Sequence, residues 1–254
     1  MSATIVEIPL KDKSLFKQDL FINGEWTAGS LGDRKEVVNP ATGEVIANIA
    51  MASAEDVERA ISTSEAAFKI WSKKTALERA KLMRAWFQLI IENVDDLAVI
   101  LTSEQGKPLA EAKGEIIYGA GFIEWYAEEG KRIYGETIPT NVPSRRLLTI
   151  KQPIGVTASI TPWNFPMAMI ARKAGPALGA GCSMVIKPAT DTPLSALAMA
   201  ELAHRAGIPN GVLNVVVGDP RMVGKVITSS PTVRALSFTG STEVGKELMA
   251  ASSQ

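Results

Sequence analysis

The sequence predicts an α/β protein built around a parallel β-sheet with helices on both faces. From Gly155 onward, short apolar runs alternate with segments of helical periodicity, which is the pattern of such a sheet. Ahead of it, residues 53–134 follow a helical pattern alone. Hydrophobic residues make up 46% of the 254 residues and charged residues 21%, so the composition excludes disorder and allows one large core.

The charge balance and the cysteine count exclude several classes of protein. The chain has 27 Lys and Arg residues against 27 Asp and Glu residues, so it has no net attraction for nucleic acid or an anionic membrane. Its single cysteine, Cys182, cannot form an intrachain disulfide or a cysteine-rich metal site, and we expect a cytoplasmic protein. The N-terminus has no signal-peptide pattern, and three prolines interrupt the longest uncharged run, residues 152–171, so no membrane span is expected.

The first half of the chain predicts two hairpins followed by four helices. Residues 20–29 and 39–49 alternate apolar and polar side chains around Asn-Gly and Thr-Gly turns, which predicts small hairpins at the edges rather than in the core. Ser53 and Thr75 each precede a carboxylate by three residues, the spacing of a helix capping box. The expected helices lie near 54–70, 76–92, 94–104 and 108–130.

The second half predicts four strand–helix units after a connecting hairpin. The strands are GVTASI, SMVIK, VLNVVV and VRALSF, and the helices lie near 166–180, from Thr192-Pro193 to Gly207, near 220–228 and from about Ser241. Between the two halves, residues 131–153 contain two short β-type runs around a Pro/Asn turn. We expect this segment to project as a hairpin that pairs with another surface.

The loops after the four strands are the expected ligand site, because a doubly wound sheet binds ligands beyond the carboxyl ends of its strands. Three of these loops offer groups suited to a dinucleotide: the cation Lys187, a Gly-Pro edge for a flat base, and a Gly-Ser helix N-terminus for pyrophosphate. Neither GAGFIE nor GAGCSM completes the G-x-G-x-x-G pattern. Short-chain and lactate-type dehydrogenases therefore fit poorly.

The motifs ITPWNFP, VIKPA and FTGSTEVG, in this order, closely resemble the aldehyde dehydrogenase superfamily from about Phe21 onward, above all its bacterial NADP-preferring succinate-semialdehyde branch. The resemblance implies a Rossmann-like sheet of the aldehyde dehydrogenase type. It implies a nucleotide-binding domain of residues 1–130 and 154–254, and an oligomerisation hairpin of residues 131–153. It also implies that the catalytic domain, with the nucleophilic cysteine and the general-base glutamate, is absent from these 254 residues, so that this chain alone does not oxidise aldehydes at a normal rate.

Four residues carry the chemistry that the resemblance implies. Asn164 stands where the family uses an asparagine amide to hold the oxyanion, and a neutral amide donates without titrating. Arg172 stands where the succinate-semialdehyde branch has an arginine, whose two-pronged guanidinium suits the distal carboxylate of a short semialdehyde. Lys187 resembles the lysine that binds the adenosine ribose or its 2′-phosphate. Thr190 replaces the glutamate of NAD-preferring relatives, so we expect NADP to be preferred and NAD to remain possible.

The remaining cofactor contacts implied by the resemblance lie in the same loops. They are Thr161, Pro162, Trp163 and Asn164 after the first strand of the sheet, Pro188 and Ala189 beside Lys187, Gly218, Pro220 and Gly224 around the adenine, and Phe238, Gly240 and Ser241 at the pyrophosphate.

Structural alternatives stay open for each of these residues. Asn164 could simply hold a turn between two prolines, Lys187 could be a solvated strand end, Arg172 could be a surface residue, and Ser241 could be a plain helix cap. We expect Cys182 to be buried in the core rather than to act as a nucleophile. Glutarate-semialdehyde dehydrogenase or another aldehyde dehydrogenase is the alternative enzyme, and a non-catalytic nucleotide-binding fragment is the alternative class. We expect a homo-oligomer in the full-length form and no metal site.

Overall fold

The computed structural model describes residues 5–253, and its first half contains the predicted hairpins and helices. The strands are β1 (Leu20–Ile22), β2 (Glu25–Thr27), β3 (Arg34–Val38) and β4 (Val45–Ala50), and the helices are α1 (Ala54–Trp71), α2 (Ala76–Glu92), α3 (Val94–Gln105) and α4 (Leu109–Glu129). The side chains of Ser53 and Thr75 close the two predicted capping boxes by accepting from the backbone N–H three residues on. The helical prediction for this half is confirmed.

The second half contains the connecting hairpin and four strand–helix units, as predicted. Its elements are β5 (Glu136–Ile138), β6 (Leu147–Thr149), β7 (Val156–Ile160), α5 (Ala168–Ala180), β8 (Ser183–Lys187), α6 (Leu194–Arg205), β9 (Leu213–Val215), α7 (Pro220–Ser229), β10 (Val233–Phe238) and α8 (Thr242–Ser252). The strands β7 and β8 are almost wholly buried. Their burial on both faces is typical of strands that helices cover on both sides.

A six-stranded sheet in the order β10-β7-β8-β9-β1-β2 organises the molecule. The four strands from β7 to β10 are parallel, and β1 joins them antiparallel through the pairing of Phe21 with Val215. The helices α5 and α6 pack against α2, α3 and α4 on one face, whereas α7 packs against α1 and α8 on the other. From β7 the chain adds β8 and β9 on one side, and it then adds β10 on the other side of β7. The boundary between β7 and β10 is therefore the topological switch point, where such folds bind ligands.

The expectation that both N-terminal hairpins lie outside the core is wrong for one strand of each. All three residues of β1 are buried, and β4 is buried except for one residue that is partly exposed. Their partners β2 and β3 are mostly exposed or partly buried, so they form the edges. The three consecutive apolar residues of β1 are the reason, because α1 contacts this strand on one face and α6 contacts it on the other.

The connecting hairpin formed by β5 and β6 is exposed along its whole length. All six residues of the two strands are exposed, including Ile138, Leu147 and Leu148. Gly135 is required where the hairpin begins, because a Cβ atom there would lie 2.0 Å from the carbonyl oxygen of Thr149. The predicted hairpin geometry is confirmed, and its role in assembly stays a prediction.

The start of α6 differs from the sequence prediction. Thr192 does not open the helix, since its buried hydroxyl has no hydrogen-bond partner among the described residues. The backbone N–H groups of Leu194 and Ser195 donate instead to the carboxylate of Glu104 in α3, at 2.6 and 2.8 Å. Glu104 is buried, and this burial raises its pKa to about 7. A cap that comes from 90 residues earlier in the chain leaves no local signal in the sequence.

In residues 5–253, no helix has the length and apolar character needed to cross a membrane. Nor does that part of the chain bring three or more His, Cys, Asp or Glu side chains together as metal ligands.

Candidate functional site

The loops that follow β7, β8, β9 and β10 meet at one edge of the sheet. The backbone N–H of Thr161 donates to the carbonyl of Lys187 at 3.1 Å, which joins the first loop to the second. The N–H of Thr239 donates to the carbonyl of Ile160 at 3.1 Å, which joins the first loop to the last. The loop after β9 lies beside the second loop, because the Thr190 hydroxyl is 3.5 Å from the carbonyl of Gly218. The structure therefore brings all four predicted loops together.

Lys187 is a buried cation that forms no ion pair with the described part of the chain. Only 3% of the residue is exposed, so the interpretation of a solvated strand end is wrong. Its Nζ contacts the Thr190 hydroxyl at 3.4 Å, and no carboxylate of the described residues lies within 4.0 Å. Burial lowers the pKa of Lys187 to about 8, and the carboxylates of Asp219 and Asp191 oppose this shift only in part. A desolvated ammonium of this kind favours an incoming hydroxyl or phosphate oxygen.

The surroundings of Lys187 are polar, and the two carboxylates that act on it belong to Asp191 and Asp219. Thr190 is partly buried, and Asp191 next to it is exposed and forms an ion pair with Lys35 of β3 at 2.8 Å. The carboxylate that could repel a phosphate thus already faces a cation. The sequence did not predict Lys35 at this edge, since the contact spans 156 residues. Between Lys187 and Thr190, Pro188 is buried and Ala189 is partly buried.

The helices α7 and α8 enclose a cleft of about 910 Å³ next to these loops. Its lining includes Pro220 and Gly224 of α7 and Val244 and Leu248 of α8. Gly218 does not line the cleft: it is buried and pairs with Ala52 in an isolated bridge. The cleft is open and partly apolar, as a flat aromatic base requires.

The N-terminus of α8 is open at the same edge. Ser241 caps this helix by accepting from the backbone N–H of Val244 at 3.4 Å, and both Gly240 and Ser241 are exposed. Phe238 is partly buried, and a Cβ atom on Gly240 would lie 2.4 Å from its ring, so a larger residue at position 240 would require this ring to move. The cap and an anion site are compatible, because other N–H groups of the first turn stay free.

The segment between β7 and α5 presents Asn164 to solvent. Trp163, Asn164 and Phe165 are exposed, whereas Thr161 is buried and Pro162 is partly buried. Within residues 5–253, the side-chain amide of Asn164 has no hydrogen-bond partner, although its backbone carbonyl accepts from Lys107 Nζ at 3.0 Å. The amide therefore does not hold the turn and is free to donate to a ligand. The buried hydroxyl of Thr161 likewise has no partner among the described residues.

Arg172 lies on the exposed side of α5, one turn beyond the segment that carries Asn164. Its guanidinium carbon lies 5.1 Å from the centroid of the Phe122 ring, and Tyr118 packs edge-on against that ring. No carboxylate in the described part of the chain lies within 4.0 Å of the guanidinium. Lys173 next to it turns inward and donates to the hydroxyls of Ser237 and Thr239 at 3.0 and 2.8 Å. Arg172 thus keeps an unpaired charge on an aromatic support.

Sequence reasoning missed three residues around this segment, namely Lys107, Glu115 and Phe122. Glu115 occupies a position of the buried face of α4, together with Ala112 and Ile116. The sequence signal for Glu115 was a carboxylate on the apolar face of a helix, because a buried carboxylate requires a hydrogen-bond or charge partner. The partner and the contact with the Asn164 segment could not be read from the sequence.

The two other reactive side chains lie away from this edge. Cys182 is 3% exposed and precedes β8 at the opposite, amino end of the strand, so the prediction of a buried structural cysteine is confirmed. His204 lies in the last turn of α6 and packs edge-on against Phe21 at 5.9 Å between ring centroids.

The fold and this arrangement define an α/β protein with a doubly wound sheet and a candidate ligand site at its switch point. The chain belongs to the aldehyde dehydrogenase family, whose sequence model matches residues 26–254. It is 61% identical over 240 residues to a glutarate-semialdehyde dehydrogenase of Pseudomonas putida, covering 94% of this chain and 50% of that protein. It is 59% identical over 240 residues to the NADP(+) succinate-semialdehyde dehydrogenase of Escherichia coli, with the same two coverages of 94% and 50%.

Solved structures agree with this assignment. The crystal structure of succinate-semialdehyde dehydrogenase from Burkholderia pseudomallei superposes with a TM-score of 0.95 at 59% identity, over 96% of this chain and 51% of that one. The chain thus spans about half the length of the curated relatives it matches. The Rossmann-like sheet of the aldehyde dehydrogenase type, predicted from three short motifs, is confirmed.

Proposed function

We propose that this chain is the nucleotide-binding part of an NADP-preferring enzyme that oxidises succinate semialdehyde to succinate. The observation that carries the proposal is that the Asn164 amide after β7 and the Arg172 guanidinium on the following helix α5 both have no polar side-chain or carboxylate partner among the described residues. An amide donor suits an oxygen that gains negative charge, and a guanidinium suits a carboxylate at the far end of the same short substrate.

The residues at the switch point fit a dinucleotide. Lys187 would bind the ribose hydroxyls or the 2′-phosphate, because it is a buried cation whose only side-chain hydrogen bond within residues 5–253 is to a threonine hydroxyl. Gly240 and Ser241 would bind the pyrophosphate at the start of α8, and Pro220 and Gly224 would border the base in the cleft between α7 and α8. When bound, the dinucleotide accepts the hydride from the aldehyde carbon.

The preference for NADP rests on the charges around Lys187. Thr190 brings no carboxylate to the site, and the carboxylate of Asp191 is paired with Lys35. A 2′-phosphate therefore meets a buried cation, a threonine in place of a glutamate and a paired Asp191, although the carboxylate of Asp219 at the start of α7 also acts on Lys187. The name of the Escherichia coli relative, which specifies NADP(+), supports the same preference.

The proposed chemistry of the chain's own residues is limited to binding and charge stabilisation. Asn164 donates its side-chain N–H to the aldehyde oxygen as a cysteine thiolate adds to the carbonyl carbon. We infer that this thiolate, like the base that activates water, comes from the part of the family's length outside these 254 residues, since Cys182 is buried away from the site. The 254 residues alone are then expected to bind substrate and cofactor without normal turnover.

The resemblance also supports two proposals on the setting of the enzyme. The exposed hairpin of β5 and β6, with Ile138 and Leu148 at its surface, would pair with another copy of the chain in the full-length form.

The single cysteine, buried and unpaired, suits a reducing compartment, and we propose the cytoplasm.

Glutarate semialdehyde is the second candidate substrate, and the 61% identity to the Pseudomonas putida enzyme favours it as much as the 59% identity favours succinate semialdehyde. The test is a steady-state comparison of kcat/KM in an intact enzyme that contains this sequence, with succinate semialdehyde, glutarate semialdehyde and uncharged butanal. We expect both semialdehydes to exceed butanal by about 10-fold or more, because each can form charge-assisted hydrogen bonds with Arg172. Equal values for butanal and the semialdehydes would contradict the proposal, and the ratio of the two semialdehydes decides between the candidates.

A further inference from the structure

We propose that the buried ion pair of Lys107 and Glu115 positions Asn164. Lys107 and Glu115 are then positioning residues for the amide that binds the oxyanion. The inference rests on the proposed function of Asn164. Lys107 and Glu115 belong to the N-terminal helical layer and lie outside the four strand-end loops.

Glu115 caps the helix that follows the Asn164 segment. It lies on α4, its side chain is completely buried, and its Oε1 accepts from the backbone N–H groups of Met167 and Ala168 at 3.0 and 3.1 Å. These are N–H groups at the start of α5, which have no partner within the helix. A carboxylate at this position therefore fixes where α5 begins and how the preceding segment enters it.

Lys107 ties the same carboxylate to the residue that carries the amide. Its Nζ lies 2.5 Å from Glu115 Oε2 and donates to the backbone carbonyl of Asn164 at 3.0 Å. The same ammonium lies 4.1 Å from the centroid of the Phe165 ring. One cation thus holds the backbone of Asn164 and the ring of the next residue, while the Asn164 side chain is left free.

The energetics of the pair favour positioning over stability as its role. Both side chains are nearly withdrawn from solvent, with exposures of 11% for Lys107 and 0% for Glu115. Replacing a buried ion pair by uncharged side chains of similar size is often neutral or stabilising, so folding alone does not require these charges. A pair that binds the backbone carbonyl of the oxyanion donor and the N–H groups three and four residues later fixes the donor before the reaction, and such preorganisation accelerates it.

Glu104 provides a matched control within the same fold. It is also a buried glutamate of the helical layer that accepts from two N–H groups at the start of a helix, here Leu194 and Ser195 of α6. No lysine or arginine of the described residues pairs with it within 4.0 Å, and it does not contact the Asn164 segment. It therefore shares the capping function of Glu115 without a hydrogen bond to the Asn164 segment, and its link to the pair is the repulsion by the Glu115 carboxylate, which contributes to its raised pKa.

The decisive variant is the double substitution Lys107→Met with Glu115→Gln in an intact enzyme. The glutamine oxygen can still cap α5 and the methionine can still pack on Phe165, but the bond to the Asn164 carbonyl is lost. We expect kcat to fall by about 10- to 100-fold while KM for NADP changes by less than about 3-fold, because a small misplacement of a catalytic group has this effect. Hydrogen exchange of the peptide 161–168 should become faster, and Tm should change by only a few degrees. The single variant Lys107→Arg keeps the charge, so its kcat should lie between that of the double variant and that of the parent enzyme. Glu104→Gln should change neither kcat nor the hydrogen exchange of the peptide 161–168.

The outcomes separate this inference from the proposed function. If Asn164→Ala lowers kcat but the double variant and Lys107→Met do not, the positioning role is wrong and the role of Asn164 stands. If Asn164→Ala has no effect, the proposed function itself fails. A loss of kcat in Glu104→Gln equal to that in the double variant would show that any disturbed helix cap has this effect, which would also overturn the inference.

Discussion

Replacing Asn164 by alanine in an intact enzyme of this sequence is expected to lower kcat by about 100- to 1,000-fold, the usual effect of removing one oxyanion donor. KM for the aldehyde should change little, because the hydrogen bond strengthens only as the aldehyde oxygen gains charge. The free state of the amide in the structure supports this expectation, since the substitution breaks no hydrogen bond of the described residues. Steady-state kinetics with saturating NADP and succinate semialdehyde measure the effect.

The matched control is Asn210→Ala. Asn210 is also exposed, but it precedes β9 and so lies at the amino end of the parallel strands, away from the four loops. This variant should keep the kcat of the parent enzyme. A decrease of less than about 3-fold in Asn164→Ala would contradict the assignment of the oxyanion donor, because a typical neutral hydrogen bond of about 1 kcal/mol already corresponds to about 5-fold.

Replacing Arg172 by leucine is expected to raise KM for succinate semialdehyde by about 10- to 100-fold, the equivalent of losing a charge-assisted hydrogen-bond pair. KM for butanal should stay unchanged or fall, because the leucine offers an apolar surface beside Phe122. Arg172→Lys should give an intermediate KM, since an ammonium keeps the charge but loses the planar fork. The measurement is KM and kcat for both aldehydes in all three proteins.

Equal effects of Arg172→Leu on the charged and the uncharged aldehyde would discard the substrate role of Arg172. They would indicate that the guanidinium instead supports the local packing of Phe122 and Tyr118. The uncharged substrate is therefore the control within the same protein.

The sheet and its helices could be predicted because their signals are local. The strands β7 and β8 are short apolar runs that end at Thr-Pro and Lys-Pro, and each is followed by a helical period. The burial of β1 was missed because the hairpin pattern describes pairing between neighbours, whereas burial depends on the helices that cover Leu20–Ile22.

The candidate site divides in the same way. The residues of the loops, such as Asn164 and Lys187, belong to contiguous motifs and could be named from the sequence. Their environment could not, because Glu115 reaches Met167 across 52 residues and Lys35 reaches Asp191 across 156. Through such long-range contacts Glu115 caps α5 and Lys35 neutralises Asp191. Neither contact can be predicted from periodicity or motif spacing.

The most direct test of the account is an equilibrium titration of the folded 254-residue chain with NADP and NAD by calorimetry at pH 7.0 and pH 9.5. We expect saturable binding of one NADP per chain at pH 7.0, about 10-fold tighter than NAD, because the 2′-phosphate meets the charged Lys187. The difference should shrink at pH 9.5, since the pKa of Lys187 is lowered to about 8 and the side chain then loses its proton. Tighter binding of NAD would contradict the cofactor preference, and no saturable binding of either nucleotide by the folded chain would show that the four loops do not form a dinucleotide site.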